Sequence, residues 1–422
     1  MDRHESSLVT PAKPPEMPMA SLHIPFAEFV ALTALLMALT ALAIDIMLPA
    51  LPEIGSAFSV ARENDRQLVL IVYMVGFAGG QLVYGPLSDH LGRRPVLLAG
   101  IAVFIAGTLA ALLSQTFPAL LAARLLQGIG AASPRVVAIA IVRDLYAGRQ
   151  MARVMSFAMM VFIIVPVLAP SIGQALLHAG DWRWIFFGLL MAGLVAALWA
   201  SVRLPETSEA SLGNRPAMPL VASFKSAILN PQTVAYGVAQ GFMFGCLLAY
   251  IASSQQIFVE LFGLGAAFPV VFGGVASTLA IASFINARIV GRLGMRRVSH
   301  TALAGFVAVS LVLAAAAALG IATLPVFVIL VALALFLFGL VGPNFNALAM
   351  EPQGHNAGMA SSVVGSLSTA IGAVVGGLIG RSFDGTALPL ALGFAAASLI
   401  TLATVAYVEG QAGLFGRNQP RL

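Results

Sequence analysis

Twelve apolar stretches, each about as long as a bilayer is thick, leave this chain few ways to fold. In order they are Phe26–Leu48, Leu68–Tyr84, Val96–Leu113, Ala119–Val142, Val154–Leu177, Trp184–Val202, Thr233–Ser253, Ala266–Ile289, Val298–Leu319, Leu324–Leu340, Gly358–Gly380 and Ala387–Val408. Lipid offers backbone amides no partner, so a spanning segment must be a helix or part of a closed barrel. These stretches are continuous rather than alternating, which selects helices. Only 9% of the 422 residues are charged, where soluble chains run near ~25%. The fold class read from this is an all-α integral membrane protein, with the lipid bilayer as partner. The net charge of +5 reads as topogenic charge on one membrane face, and nucleic acid is not an expected partner.

A polar linker divides the stretches into two sixes. Residues 1–25 are Pro-rich and polar, read as a disordered cytosolic tail rather than a cleaved signal. A six-helix bundle over 26–202, a cytosolic linker over 203–230, a second bundle over 231–408 and a cytosolic tail over 409–422 complete the layout. Charge placement tests it. With both termini cytoplasmic, sixteen of the 22 basic residues fall on the cytosolic side. Four fall outside, and Arg124 and Arg135 lie within a span. This is the bias of the positive-inside rule. The halves also echo each other: Gly85 to Pro95 finds its counterpart in Ala287 to Arg297, where Gly294 matches Gly92, and Arg296 and Arg297 keep the basic end. There Gly291 stands where the first half has Asp89.

Of the 17 acidic residues, Asp45 alone falls in the interior of a span, Glu28 lying at the cytosolic end of one. A carboxylate there costs roughly 3 kcal/mol on insertion scales, so it must face a cavity or a partner. Arg124 is expected at matching depth, each about seven residues or roughly 10 Å from the outer end of its helix. The pair would be a proton-coupling site, because low dielectric favours the neutral acid and a nearby guanidinium the charged one. Arg135, eleven residues after Arg124, shares roughly its face and could meet an anionic group. Candidate substrate-cavity residues are Asp45, Arg124, Gln127 and the i, i+4, i+8 face Tyr236, Gln240 and Phe244. Gly372, Gly376 and Gly380 suggest close helix packing. The six histidines are scattered and near or outside span ends, and Cys246 is the single cysteine. No metal site, no cofactor and no nucleophile–base pair is expected. Nor is there a P-loop, so no nucleotide is needed, and a proton gradient acting through Asp45 is the expected energy source.

Several motifs resemble a known family. Gly85-Pro86-Leu87-Ser88-Asp89-His90-Leu91-Gly92-Arg93-Arg94 is similar to the signature turn of the major facilitator superfamily. Ile44-Asp45 through Pro52, Arg124 through Ala132, and Ala169-Pro170-Ser171-Ile172-Gly173-Gln174 resemble motifs of its twelve-span drug:proton antiporters. Ala169 and Gln174 replace two glycines of the last motif. Asp181 to Phe186, Leu204-Pro205-Glu206-Thr207 and Pro343 through Ser361 are similar to the Bcr/CflA multidrug efflux branch.

The resemblance implies a major facilitator fold, with twelve transmembrane helices in two pseudo-symmetric six-helix bundles. It implies alternating access and a role for Arg124 in proton coupling. A conformational latch on the cytosolic side would comprise Gly85, Asp89, Gly92, Arg93, Arg94, Asp144 and Gly358, with Asp89 received by the amino end of the eleventh helix. Pro166, Pro170 and Gly173 would shape the antiporter helix. The expected function is export of small, mostly apolar drugs of chloramphenicol or bicyclomycin type by proton antiport, by a monomer in a bacterial inner membrane. A proton-coupled metabolite exporter or importer on the same fold is the alternative, ahead of a membrane enzyme or a non-transporting receptor.

Overall fold

The structure is a computed structural model and describes residues 24–146, 148–207 and 220–410. The tail expected over 1–25 (but for residues 24 and 25), the middle of the linker and all but two residues of the tail expected over 409–422 lie outside the described residues. Twelve helices of 20 residues or more run through the rest, and no strand occurs among the described residues. They are α1 Phe26–Asp45, α2 Leu68–Leu91, α3 Arg93–Leu112, α4 Phe117–Leu145, α5 Gly148–Ala179 and α6 Arg183–Arg203. The second set comprises α7 Pro231–Gln255, α8 Phe268–Leu293, α9 Met295–Ala318, α10 Leu324–Met350, α11 Ala357–Arg381 and α12 Leu388–Glu409. Eleven helical segments are long and apolar enough to cross a membrane, and α5 adds the shorter apolar run Ile164–Ala179. Each helix overlaps one of the twelve stretches.

Local chemistry sets the ends. Thr116 accepts from the Ala119 amide ahead of Pro118, and Asn230 accepts from the Thr233 amide ahead of Pro231. The α2–α3 and α8–α9 turns pivot on Gly92 (φ 99°, ψ 152°) and Gly294 (φ 82°, ψ 153°), a region side chains rarely adopt. The repeat seen in sequence is thus a repeat of backbone conformation. The first apolar stretch ends early as a regular helix: α1 stops at Asp45, and the chain continues through Leu48–Ala50 into a short helix Leu51–Ala57. Pro49 and Pro52 sit in the first turns of those pieces. Among its described residues the linker holds the helix Leu220–Leu229, which packs against α11.

Each half packs through small residues. A Cβ at Gly128 would fall 2.0 Å from the Tyr73 carbonyl oxygen, and one at Gly130 2.1 Å from the Phe104 amide, so α4 touches α2 and α3 at backbone distance. Between the halves, α2 meets α11, with Ser366 Oγ donating to the Ala78 carbonyl (2.8 Å) and Thr369 to Gln81 (3.2 Å). On the far side α5 meets α8, where a Cβ at Gly273 would lie 3.1 Å from Val167. The Gly372, Gly376 and Gly380 stripe does pack closely: Cβ atoms there would lie 2.6 Å from Phe244, 2.6 Å from Leu248 and 2.2 Å from Gln67.

Candidate functional site

Between the halves lies a cavity of about 330 Å³. Its walls are Thr40, Ile44 and Asp45 of α1, Met74 and Phe77 of α2, Arg135 of α4, Phe244 and Tyr250 of α7, Phe272 of α8 and Phe338 of α10. Pro166 of α5 also reaches it. Asp45 is the last residue of α1 and only 2% exposed. Among the described residues its Oδ1 has no hydrogen-bond partner, and neither has the hydroxyl of Tyr250 on the facing helix. Two polar atoms withheld from partners in an apolar chamber are costly, and they are groups a bound molecule or a proton can satisfy. Gly173 brings α5 against this point, since a Cβ there would lie 2.2 Å from the Ile46 carbonyl oxygen. Pro170 lies one turn beyond Pro166 within α5 and is buried.

Arg124 is 0% exposed and does not line the cavity. Its Nε donates to the Val69 carbonyl (3.0 Å), one Nη to the Ala43 carbonyl (3.1 Å) and the other to Gln127 Oε1. The guanidinium lies 4.4 Å from the Tyr73 ring centroid. The direct ion pair with Asp45 expected from equal depth is therefore not formed. Arg124 instead grips the backbone of α1 two residues before Asp45, because carbonyls of α1 and α2 occupy its donors. Gln127, expected in the cavity, turns inward too, donating to Thr108 Oγ1 at 2.8 Å.

The Tyr236, Gln240 and Phe244 face of α7 divides. Phe244 lines the cavity; Tyr236 and Gln240 do not. Tyr236 is near the opposite end of α7 and points into its own half, where its hydroxyl meets His300 Nε2 (3.0 Å) and donates to Glu409. Arg296 binds the same Glu409 (Nε to Oε1 3.0 Å) and Glu351 (2.7 Å). A spacing of four keeps residues on one side of a helix, yet over eight positions the depth changes by ~12 Å. That is enough to leave a small chamber.

At the face carrying the Gly85–Pro95 turn, Arg93 joins three elements. It binds Asp89, Ser88 Oγ (2.8 Å) and, from Nε, Asp144 Oδ2 (2.8 Å). Glu206 of the linker accepts from the Arg93 and Arg94 amides at 2.8 and 3.1 Å. It supplies a negative charge at the exposed amino end of α3. Its role was hidden in sequence, although the Leu204-Pro205-Glu206-Thr207 motif holds it. Arg94 donates to the Ser201 carbonyl. Gly85 lets Ser362 of α11 approach, with its Oγ 2.2 Å from where a Cβ would stand. Asp89 and Gly358 line one cleft, but the carboxylate is held by Arg93 rather than by the amino end of α11.

The opposite face carries a polar seam that sequence reading missed. Arg66 pairs with Glu260 and Asp65 with Arg381. Asn64 donates to the carbonyls of Arg381 (2.9 Å) and Phe383 (2.8 Å), and Gln256 donates to Asn64 Oδ1 (2.6 Å). Gln67 and Gln256 complete it where α7 widens into a π-helical turn over Gln256–Leu261. The only sequence signal was a cluster of polar residues beside two apolar stretches.

A chamber enclosed between two six-helix halves, holding a lone acid and closed by polar contacts at both ends, is the build of a membrane transporter. The profile of the Major Facilitator Superfamily matches residues 33–377, and the chain belongs to that superfamily. It is 32% identical over 390 residues to an uncharacterized MFS-type transporter, YdgK, of Bacillus subtilis, covering 90% of this chain and 96% of that one. It is 30% identical over 392 residues to a bicyclomycin resistance protein homolog of Haemophilus influenzae, covering 90% and 95%. To the multidrug resistance protein MdtL of Escherichia coli it is 32% identical over 225 residues, covering 52% and 55%. Among solved structures, a partially occluded inward-open conformation of the xylose transporter XylE from E. coli superposes with a TM-score of 0.70 at 12% identity, covering 92% and 98%. That likeness is one of fold. The chain is thus a multi-pass membrane transporter.

Proposed function

We propose that the chain exports small, mostly apolar drugs, of the chloramphenicol or bicyclomycin kind, in exchange for protons. The observation that carries this reading is the Asp45 carboxyl, buried, with an oxygen that lacks a partner among the described residues, on the wall of the cavity the two halves share. A proton on Asp45 neutralises it in the apolar chamber; a substrate donor hydrogen-bonded to the ionised form takes the proton's place. Exchange follows when the chamber opens to one side at a time. Arg124 acts through the backbone, since its hold on the Ala43 carbonyl fixes the end of α1. The bicyclomycin- and multidrug-resistance relatives support the substrate class. The Gly85–Pro95 face is cytosolic in this reading, as are both termini, and the protein works as a monomer in a bacterial plasma membrane without a cofactor.

The test is substrate accumulation in proteoliposomes under an imposed pH gradient. Wild-type protein should concentrate a drug against its gradient, and Asp45→Asn should only equilibrate it. An Asp45→Asn variant that still concentrates substrate sinks the coupling.

A further inference from the structure

Two polar atoms on the cavity wall lack hydrogen-bond partners among the described residues, Asp45 Oδ1 and the Tyr250 hydroxyl, and they belong to different halves. Both side chains are almost wholly buried. Their positions are fixed by separate means. Asp45 closes α1, whose end is held by Arg124 at the Ala43 carbonyl (3.1 Å) and approached closely by Gly173 of α5 at Ile46. The Tyr250 ring lies parallel to Phe272 (centroids 5.5 Å apart, 2° between planes) and edge-on to Phe258 (6.3 Å). The segment Leu48–Ala50, just past Asp45, packs against α7, the helix that carries Tyr250. The two groups are near enough for the carboxylate charge to act on the phenol, yet they are not hydrogen-bonded to each other. Both face the same cavity, so whatever occupies it can reach both.

The chemistry of the two atoms selects one kind of group. A phenol hydroxyl donates one hydrogen bond, and an ionised carboxylate only accepts. A single group meeting both must therefore accept from Tyr250 and donate to Asp45, which a hydroxyl does. An ether or a ketone accepts from Tyr250 but leaves the carboxylate without a donor, a costly state in an apolar chamber. A hydrocarbon meets neither. Once Asp45 is protonated it no longer needs that donor, so the alcohol is preferred over the ether in the ionised state that exchange requires. The rings of Phe77, Phe244, Phe272 and Phe338 on the same wall suit a neutral aryl body. A hydroxyl bonded to both atoms would also join the two halves across the cavity.

We propose that the cavity recognises neutral aryl alcohols, the substrate hydroxyl bridging Asp45 of one half to Tyr250 of the other, with Tyr250 a specificity-determining residue. This rests on the exporter reading and deepens it, naming the one polar group that a mostly apolar substrate carries. The test is equilibrium binding to the purified full chain at alkaline pH, which favours the ionised carboxyl. The probes are benzhydrol, its methyl ether, benzophenone and diphenylmethane, with affinities referred to partitioning into protein-free micelles. A hydrogen bond to a charged acceptor changes affinity by about tenfold or more, and a neutral one by about fivefold. Benzhydrol should bind about tenfold more tightly than its ether, and benzophenone about fivefold more tightly than diphenylmethane. Tyr250→Phe keeps the ring on Phe272 and should bring the second ratio near one. Its melting temperature should not fall, because the hydroxyl removed has no partner among the described residues. Asp45→Ala should collapse the first ratio instead. Wild-type ratios near one, no binding of any probe, or a benzophenone ratio unmoved by Tyr250→Phe overturn the proposal. The wild-type ratios stand even where a variant fails to fold. Flux under a pH gradient reads the exporter reading separately. Selective binding without driven flux would refute that reading alone, and driven flux of a drug with flat binding ratios would refute only the bridge.

Discussion

Arg124 is a buried cation whose charge is spread over two backbone carbonyls, a glutamine and the face of Tyr73. A guanidinium can serve these partners at once because its donors form a rigid fork; an ammonium cannot. Arg124→Lys should therefore lower stability by about 1–3 kcal/mol through orphaned carbonyls. On the proposed exchange it should also lower flux under a pH gradient, because the end of α1 that carries Asp45 loses its anchor. Thermal unfolding in detergent and flux under a pH gradient measure the two effects separately. Unchanged stability would mean that the carbonyls find other donors, and the anchoring account would fail.

At the scale of the element, glycines divide into those that let helices touch and those that do nothing visible. A Cβ at Gly130 would collide with the backbone of α3, 2.1 Å from the Phe104 amide, which has no freedom to move alone. Gly130→Ala should cost about 1–3 kcal/mol by forcing α3 and α4 apart. A Cβ at Gly342, inside α10, would meet nothing within 4 Å. Gly342→Ala should be neutral or stabilising, by up to ~1 kcal/mol, because alanine loses less backbone freedom on forming a helix. Comparing the two melting temperatures checks both, and equal shifts would contradict the packing argument.

For the whole molecule, the halves are tied at both ends of the cavity. Ser362 meets Gly85 at one face, and at the other Arg66 pairs with Glu260 and Asp65 with Arg381. Partly exposed pairs of this kind contribute about 1 kcal/mol each, roughly a fivefold change in a two-state population. Glu260→Gln should favour opening at its own face. Ser366→Ala, which removes the α11 hydroxyl that donates to the Ala78 carbonyl of α2 across the halves, should loosen the other. Distances between spin labels placed across each face should shift in opposite senses for the two variants. The Glu260 effect should shrink at high salt. Identical distance distributions in wild type and both variants would show that apolar packing alone sets the equilibrium.

The twelve spans, their order and the two-half plan were legible in the chain because the bilayer acts on each segment separately: length, hydropathy and flanking arginines suffice. The lone acid was legible for the same reason, since a carboxylate in an apolar run stands out without knowledge of any neighbour. Which groups meet was not. Arg124 and Asp45 share a depth but not a contact, Tyr236 shares a helix face with Phe244 but not a chamber, and Glu206 lies far in sequence from the α3 amides it receives. Contacts of that kind depend on how helices rotate and cross, which backbone-distance packing at glycines decides only when the whole bundle assembles.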